Sequence, residues 1–89
     1  MKQIIQVTVF KRDLKRIVKR NKDLKKLYKV VEILVQGIPL PSKYRSHKLI
    51  GNYGSKYECH IEPDWLLIYE ITDDLVILHR SGTHVDLFE

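Results

Sequence analysis

The chain has 89 residues, a hydrophobic fraction of 44% and a formal net charge of +5. This length predicts one domain over residues 1–89, and the composition is that of a globular protein rather than a disordered one. No N-terminal apolar run has the length of a signal peptide or membrane span, and a lone cysteine, Cys59, excludes an internal disulfide. We therefore expect a cytoplasmic protein that does not bind membranes.

The charges are distributed unevenly along the sequence. From Glu58 onward there are eight acidic residues and one base, Arg80. Between residues 11 and 29 there are two acids and ten bases, namely Lys11, Arg12, Lys15, Arg16, Lys19, Arg20, Lys22, Lys25, Lys26 and Lys29. This asymmetry favours a polyanion or an acidic partner at one face, although a solvated helical surface gives the same pattern.

The first half of the chain predicts a strand followed by two helices. Residues Gln3–Phe10 are rich in Ile, Val and Thr, which is typical of a strand. A helical apolar stripe then follows at Phe10, Leu14, Ile17 and Val18. Asp23 is suited to cap a second helix. That helix ends near Gly37, and its apolar stripe comprises Leu24, Leu27, Tyr28, Val31, Leu34 and Val35.

The second half of the chain predicts a sheet. Gly51–Gly54 has the composition of a turn, and Thr72–Asp74 that of a short hairpin connection. The predicted strands are Lys56–Glu62, Trp65–Ile71, Leu75–Arg80 and a short final strand within Thr83–Phe88. The predicted class is α+β, with an N-terminal strand and a helical hairpin packed on a twisted, mainly antiparallel sheet. The opposite face of the sheet is then available for a site.

Residues suited to RNA cleavage without a cofactor are concentrated in this second half. Such cleavage needs a base for the 2′-hydroxyl proton, an acid for the departing 5′-oxygen and a cation for the phosphate. Strand alternation predicts that His60 lies with Glu58 and Glu62 on the face away from the helices. The same alternation places Arg80 on the face of Leu78. His47, Asp64 and His84 complete an acid–base group only if the fold brings them together.

Each candidate side chain also has a purely structural interpretation. Trp65 is more often a core residue than a platform for a base, and Arg80 is equally suited to a structural ion pair. Phe88 either docks the tail or contacts a ligand, and Cys59 is expected to be a small buried residue rather than a nucleophile.

A metal site is the rival chemistry. His60, Asp64 and His84 could supply three ligands. However, the sequence contains neither a His-x-x-x-His motif nor Cys-rich spacing. We therefore predict that no metal is required.

Four segments, in this order, resemble the signature of the YafQ branch of the RelE/ParE toxin superfamily, the ribonucleases of bacterial toxin–antitoxin pairs. They are Tyr44–Gly51, His60–Trp65, Leu67–Tyr69 and the stretch from Arg80 to His84 that ends in Leu87-Phe88. The resemblance extends over nearly the whole chain. It implies the RelE/ParE fold, akin to small microbial ribonucleases, and an endoribonuclease that cleaves mRNA, in this family typically at the ribosome.

The resemblance also implies residue roles. The acid–base group would be His47, His60, Asp64 and His84, with His84 as the general acid and the base left open among the other three. Arg80 would stabilise the phosphate, while Trp65 and Phe88 would orient the RNA.

The implied partners are mRNA, a cognate antitoxin with an acidic segment, and ribosomal RNA at the basic helices. Two other functions suit a chain of this kind. One is a ParE-like toxin that inhibits gyrase by binding, and the other is a basic nucleic-acid-binding module without activity.

Overall fold

The chain folds into a five-stranded sheet with two long helices on one of its faces. The computed structural model describes residues 1–88. The elements are β1 (Gln3–Gln6), α1 (Thr8–Lys19), α2 (Leu24–Val35), a 3-10 turn (Ser42–Tyr44), β2 (His47–Lys48), β3 (Tyr57–Glu62), β4 (Trp65–Ile71), β5 (Leu75–Gly82) and α3 (His84–Phe88). The sheet order is β1-β5-β4-β3-β2, with β1 parallel to β5 and the other described pairs antiparallel. This architecture confirms the predicted α+β class.

The N-terminal strand is shorter than predicted, because α1 already begins at Thr8. Thr8 and Val9 are β-branched and favour a strand locally. However, helical spacing places Phe10, Asp13 and Ile17 together on the buried face of α1. Packing of this face on the sheet therefore overrides the local preference, and Phe10 belongs to a helix.

The start of α2 is as predicted, whereas its buried stripe is shifted. The Asp23 side chain accepts a hydrogen bond of 3.0 Å from the Lys25 N–H, which confirms the N-cap. Val30 is fully buried, while Tyr28, predicted to lie on the apolar stripe, is 54% exposed. Periodicity alone identified the helix, but its buried face includes Val30 and leaves out Tyr28.

We expect Asp23→Ala to lower the free energy of unfolding by about 1 kcal/mol, because α2 then loses the acceptor for one of its first N–H groups. Urea denaturation measures this change. Asp73→Ala, which removes an exposed carboxylate from the β4–β5 connection, serves as the control. Equal stability of the two variants would show that the cap contributes nothing.

The three long strands form two consecutive hairpins around a buried centre. β4 lies in the middle of the sheet, and five of its residues, Trp65–Tyr69, are buried. The predicted connection at Thr72–Asp74 is confirmed, since the Thr72 hydroxyl accepts from the N–H groups of Asp74 and Leu75. The predicted bounds of β3 and β5 agree with the observed ones within two residues.

A β-bulge in β5 changes the faces predicted from strict alternation. Leu78 pairs with Tyr69, whereas Arg80 pairs with Ile68, so His79 is an extra residue in β5. Leu78 and Tyr69 belong to the core between the sheet and the helices. Arg80 therefore lies with Ile68 on the opposite face, and its predicted placement beside Leu78 was wrong.

A second register shift, between His60 and Glu62, has a similar effect at the end of β3. The Glu62 carboxylate accepts hydrogen bonds from Lys22 at 3.0 Å and Lys26 at 2.8 Å, and both lysines lie on the helical side. Glu62 therefore does not share the face of His60, contrary to the prediction.

The predicted final strand is instead the short helix α3. The Thr83 hydroxyl accepts from the Asp86 N–H at 3.1 Å, and the Asp86 carboxylate accepts from the Thr83 N–H at 3.0 Å. This reciprocal pair is a capping box, which satisfies two N–H groups at a helix start. The Thr-x-x-Asp spacing was visible in the sequence and was the signal for this helix.

Within residues 1–88, no helix combines the length and the apolar composition needed to cross a bilayer.

Candidate active site

The face of the sheet away from α1 and α2 carries a row of polar side chains. Across four neighbouring strands, the register aligns His47 with Glu58, Glu58 with Ile68, and Ile68 with Arg80. Neighbouring strands lie about 4.8 Å apart, so this row extends over roughly 14 Å. The adjacent row contains His60, which is paired with Leu66.

Glu58 joins two of the predicted histidines. Its Oε1 atom lies 3.5 Å from Nε2 of His47 and 3.5 Å from Nε2 of His60, while its side chain is only 7% exposed. The Nδ1 atoms of both rings face carbonyl oxygens, of Arg45 at 3.1 Å and Pro63 at 3.2 Å. Because a carbonyl only accepts, each Nδ1 carries a proton, and each Nε2 faces the shared carboxylate.

This arrangement makes Glu58 the common partner of two imidazoles. A carboxylate in that position orients both rings and can stabilise a positive charge that forms on either of them. Strand alternation predicted the correct face for Glu58, but no pattern in the sequence marked it as a member of the site. Its position directly opposite His47 depends on strand register, which the sequence did not reveal.

His84 approaches this group from α3. Its ring centroid lies 6.0 Å from that of His60. The Asp64 Oδ1 atom accepts hydrogen bonds of 3.1 Å from both the backbone N–H and the Nδ1 of His84. These two bonds hold the pKa of Asp64 below its usual range, and the bond from the backbone N–H has the larger effect. Asp64 therefore remains a carboxylate that orients the imidazole, with Nε2 directed elsewhere.

Two aromatic side chains border His84. The Phe88 ring centroid lies 6.1 Å from that of His84 and 5.9 Å from that of Tyr53, which it meets edge-on. Phe88 is 36% exposed and so offers surface to a ligand. Tyr53 was read in the sequence only as part of a turn, and its contact with Phe88 is a long-range feature of the fold.

Arg80 is held by a buried carboxylate of α1. Asp13, which is 1% exposed, accepts from Arg80 Nε at 2.7 Å and from Nη2 at 3.1 Å. The same carboxylate accepts from the Ser81 N–H at 3.1 Å. Hydrogen bonding to Asp13 raises the pKa of Arg80. The arginine thus forms the ion pair considered from the sequence, and its remaining N–H groups can still bind an anion.

The structure contradicts the predicted contact between Trp65 and RNA. Trp65 is 1% exposed, and its Nε1–H donates a 3.0 Å hydrogen bond to the Ser81 hydroxyl. A ring buried among core side chains cannot stack on a base. Trp65 therefore supports the site from beneath, as the core interpretation of tryptophan anticipated.

A cysteine nucleophile and a metal centre are the two alternative chemistries. Cys59 is fully buried, as predicted, and its burial raises the thiol pKa to about 12, which disfavours the nucleophilic thiolate. Among the described residues, no three His, Cys, Asp or Glu side chains are grouped closely enough to hold a metal ion.

The basic segment divides into internally paired and exposed charges. Arg16, Arg20, Lys22 and Lys26 contact carboxylates within the chain. The other bases of this segment lie on the exposed surface of α1 and α2 and are Lys11, Arg12, Lys15, Lys19, Lys25 and Lys29. These exposed bases are the ones available to an acidic partner.

We expect His84→Ala to raise the pKa of Asp64 part of the way towards its ordinary value. The imidazole bond is lost, but the backbone N–H of residue 84 remains. Carboxyl carbon shifts followed by NMR titration measure this change. In the control, His79→Ala, the pKa of Glu70 should rise because His79 is its main hydrogen-bond partner. A pKa of Asp64 that does not move in His84→Ala would contradict the observed contact.

Comparison with known proteins gives consistent matches. The family described as "Bacterial toxin of type II toxin-antitoxin system, YafQ" matches residues 2–89. The chain is 41% identical over 80 residues to the mRNA interferase toxin YafQ of Escherichia coli strain K12, a match that covers 89% of this chain and 87% of that relative.

Solved structures agree with the fold. A crystal structure of the E. coli DinJ–YafQ complex matches with a TM-score of 0.93 at 38% identity, covering 100% of both chains. A metal-bound toxin from Helicobacter pylori matches with a TM-score of 0.92 at 43% identity, covering 99% of this chain and 100% of that one.

Proposed function

The chain belongs to the YafQ family of toxins from bacterial type II toxin–antitoxin systems, and we propose that it is an endoribonuclease that cleaves mRNA and thereby inhibits translation. The resemblance noted in the sequence is thus confirmed. One observation carries the proposed chemistry: the imidazoles of His60 and His84 lie with their centroids 6.0 Å apart, each with its own carboxylate partner. Two such groups are within reach of the same phosphodiester.

His84 is the general acid in this proposal. Its Nδ1 is bound to Asp64, so the opposite nitrogen, Nε2, is free to give a proton to the departing 5′-oxygen. A carboxylate on Nδ1 fixes both the tautomer and the orientation of the ring. Because Asp64 already serves His84, it is the least suitable of the three candidates for the base.

The base then comes from the group formed by His47, Glu58 and His60. An Nε2 atom of either histidine can remove the 2′-hydroxyl proton, and Glu58 stabilises the imidazolium that results. His47 is about half exposed, whereas the side chain of His60 is largely covered. We therefore assign RNA contact chiefly to His47, with Glu58 and His60 as its neighbours within the site.

Arg80 and Phe88 complete the site. The cross-strand register aligns the backbone positions of Arg80 and Glu58, and the Arg80 N–H groups that Asp13 does not accept can neutralise the charge that develops on the phosphate. Phe88, beside His84, presents an exposed ring on which a substrate base can stack.

Larger partners follow from the exposed charges. The exposed bases of α1 and α2 suit ribosomal RNA, so the mRNA would be cleaved at the ribosome in the cytoplasm. The E. coli YafQ toxin was solved in complex with DinJ. We propose by analogy that this chain binds a cognate antitoxin, whose acidic segment would be attracted by the same bases.

An RNA cleavage assay tests the proposed function. The assay is run with and without ribosomes, and each arm is repeated with EDTA. We expect the wild type to cleave mRNA whether or not EDTA is present. His84→Ala, His60→Ala and Arg80→Ala should stay folded by circular dichroism but lose at least about 100-fold in rate, the usual contribution of a positioned acid or base. His79→Ala is the matched histidine control and should cleave normally.

Other outcomes would support other functions. Gyrase inhibition with intact RNA would indicate a ParE-like toxin, and salt-sensitive RNA binding without cleavage would indicate a binding module. Cleavage abolished by EDTA and restored by a divalent metal would contradict the metal-free mechanism. Loss of the circular dichroism signal in the three variants would show that the residues are structural.

The role of Glu58 gives a separate prediction. Glu58→Gln keeps the size of the side chain but removes the carboxylate that both Nε2 atoms face, so kcat should fall about 10-fold to 100-fold. Glu70→Gln is the matched control, since Glu70 also contacts a histidine, His79, outside the site. Equal rates in the two variants would remove Glu58 from the mechanism.

A further inference from the structure

The helix that carries His84 has no fully buried apolar side chain, and its apolar contacts include the edge-on packing of Phe88 on Tyr53. α3 has five residues, and none of them is buried. Isolated helices shorter than about 12–15 residues are marginal in water, so α3 has little stability of its own. Polar contacts with the rest of the chain therefore contribute strongly to its orientation and to the position of His84.

Asp86 supplies the most extensive of these contacts. Its carboxylate accepts from Arg20 Nη1 at 2.6 Å and from Nη2 at 3.2 Å, and it lies 3.5 Å from Arg16 Nη1. Two parallel bonds between a guanidinium and a carboxylate fix both distance and direction. Although α3 is exposed as a whole, the Asp86 side chain is only 9% exposed.

The local backbone is shaped to admit this carboxylate. Gly82, the last residue of β5, lies directly beneath it, and a Cβ atom at this position would be 2.8 Å from Asp86 Oδ2. The Thr83 N–H also donates to the same oxygen at 3.0 Å. The segment from Gly82 to Asp86 therefore closes around its own carboxylate, immediately beside His84.

Arg16 connects this segment to the other end of the site. Its Nη2 donates a 2.6 Å hydrogen bond to Asp13, the carboxylate that holds Arg80. One helix, α1, thus provides the groups that contact both Arg80 and the His84 segment. The charge pattern of the sequence favoured contact between the bases of this region and a polyanion. Arg16 and Arg20 instead bind carboxylates of the chain itself.

We infer that Asp86, Arg20 and Arg16 are positioning residues, which fix α3 on α1 and thereby hold His84 where it can protonate the leaving oxygen. This inference rests on the proposed function. Displacement of a catalytic group by about 1 Å can cost up to about 100-fold in rate, so a short helix without fully buried side chains needs this support. The Arg20 hydrogen bonds also hold the pKa of Asp86 well below its usual range, and the pair stays charged at neutral pH.

The test compares Arg20→Ala, Arg20→Lys and Asp86→Asn with the wild type on the same RNA. We expect Arg20→Ala and Asp86→Asn to lower kcat about 10-fold or more while KM changes less than about twofold. Arg20→Lys should recover part of kcat, because lysine restores the charge but not the two parallel bonds. Asp73→Asn, at an exposed carboxylate, is the control for Asp86→Asn.

Arg12→Ala controls for the loss of positive charge from α1. Arg12 is exposed on the same helix, so its removal should affect KM and its salt dependence rather than kcat.

A second readout does not require activity. The amides of Thr83 and His84 donate to Asp86 and Asp64, and in Arg20→Ala their hydrogen exchange should accelerate while the amides of β4 keep their protection.

These measurements separate the two ideas. Wild-type kcat and wild-type amide exchange in Arg20→Ala would overturn the inference, and so would a loss of protection throughout β4, which would mean a general structural role. A wild type that does not cleave RNA would reject the proposed function instead. In that case, the exchange data would still show whether Arg20 holds α3 in place.

Discussion

The extra residue in β5 determines which side chains reach the two faces of the sheet. Because His79 is accommodated in a bulge, Leu78 enters the core while Arg80, two positions later, emerges on the opposite face. The following residue, Ser81, then points inward, where it accepts from Trp65 and donates to the Leu66 carbonyl at 2.8 Å. A regular strand would have directed Arg80 into the core and the serine towards solvent. The site and its buried support therefore depend on one local irregularity.

The basic helix α1 serves two purposes that its sequence does not distinguish. Arg16, together with Arg20 at the C-terminal cap, binds carboxylates within the chain, whereas Arg12 and the lysines at positions 11, 15 and 19 remain exposed. Guanidinium groups form parallel bonds with carboxylates and are less strongly hydrated than ammonium groups, so Arg16 and Arg20 are well suited to partly buried pairs. The contacts of each base, rather than its residue type alone, decide whether it stays on the surface.

Local patterns predicted the elements well, while long-range contacts remained out of reach. The Asp23 cap, the Thr72–Asp74 connection and the alternation of Cys59 and Ile61 with Glu58 and His60 depend on neighbouring residues, and the structure agrees with each. The bulge at His79 is a change of register between two strands. The contacts of Asp13 with Arg80 and of Asp86 with Arg20 join residues more than 60 positions apart. No periodicity reports such contacts. The α3 capping box was local and could have been recognised.

The polar face of the sheet, which carries the candidate site, depends for stability on the apolar core between the other face and the helices. Placing Glu58 between two imidazoles with 7% of its side chain exposed costs free energy, because a charged group loses water and gains only contacts of 3.5 Å. The neighbouring residue Cys59 and the facing Leu67 are fully buried on the other side of the same strands. Alternation thus places a destabilising polar residue next to a stabilising apolar one along β3. Substitutions at Cys59 should therefore lower stability, whereas removal of the Glu58 carboxylate should lower activity without lowering stability, although the two residues are adjacent.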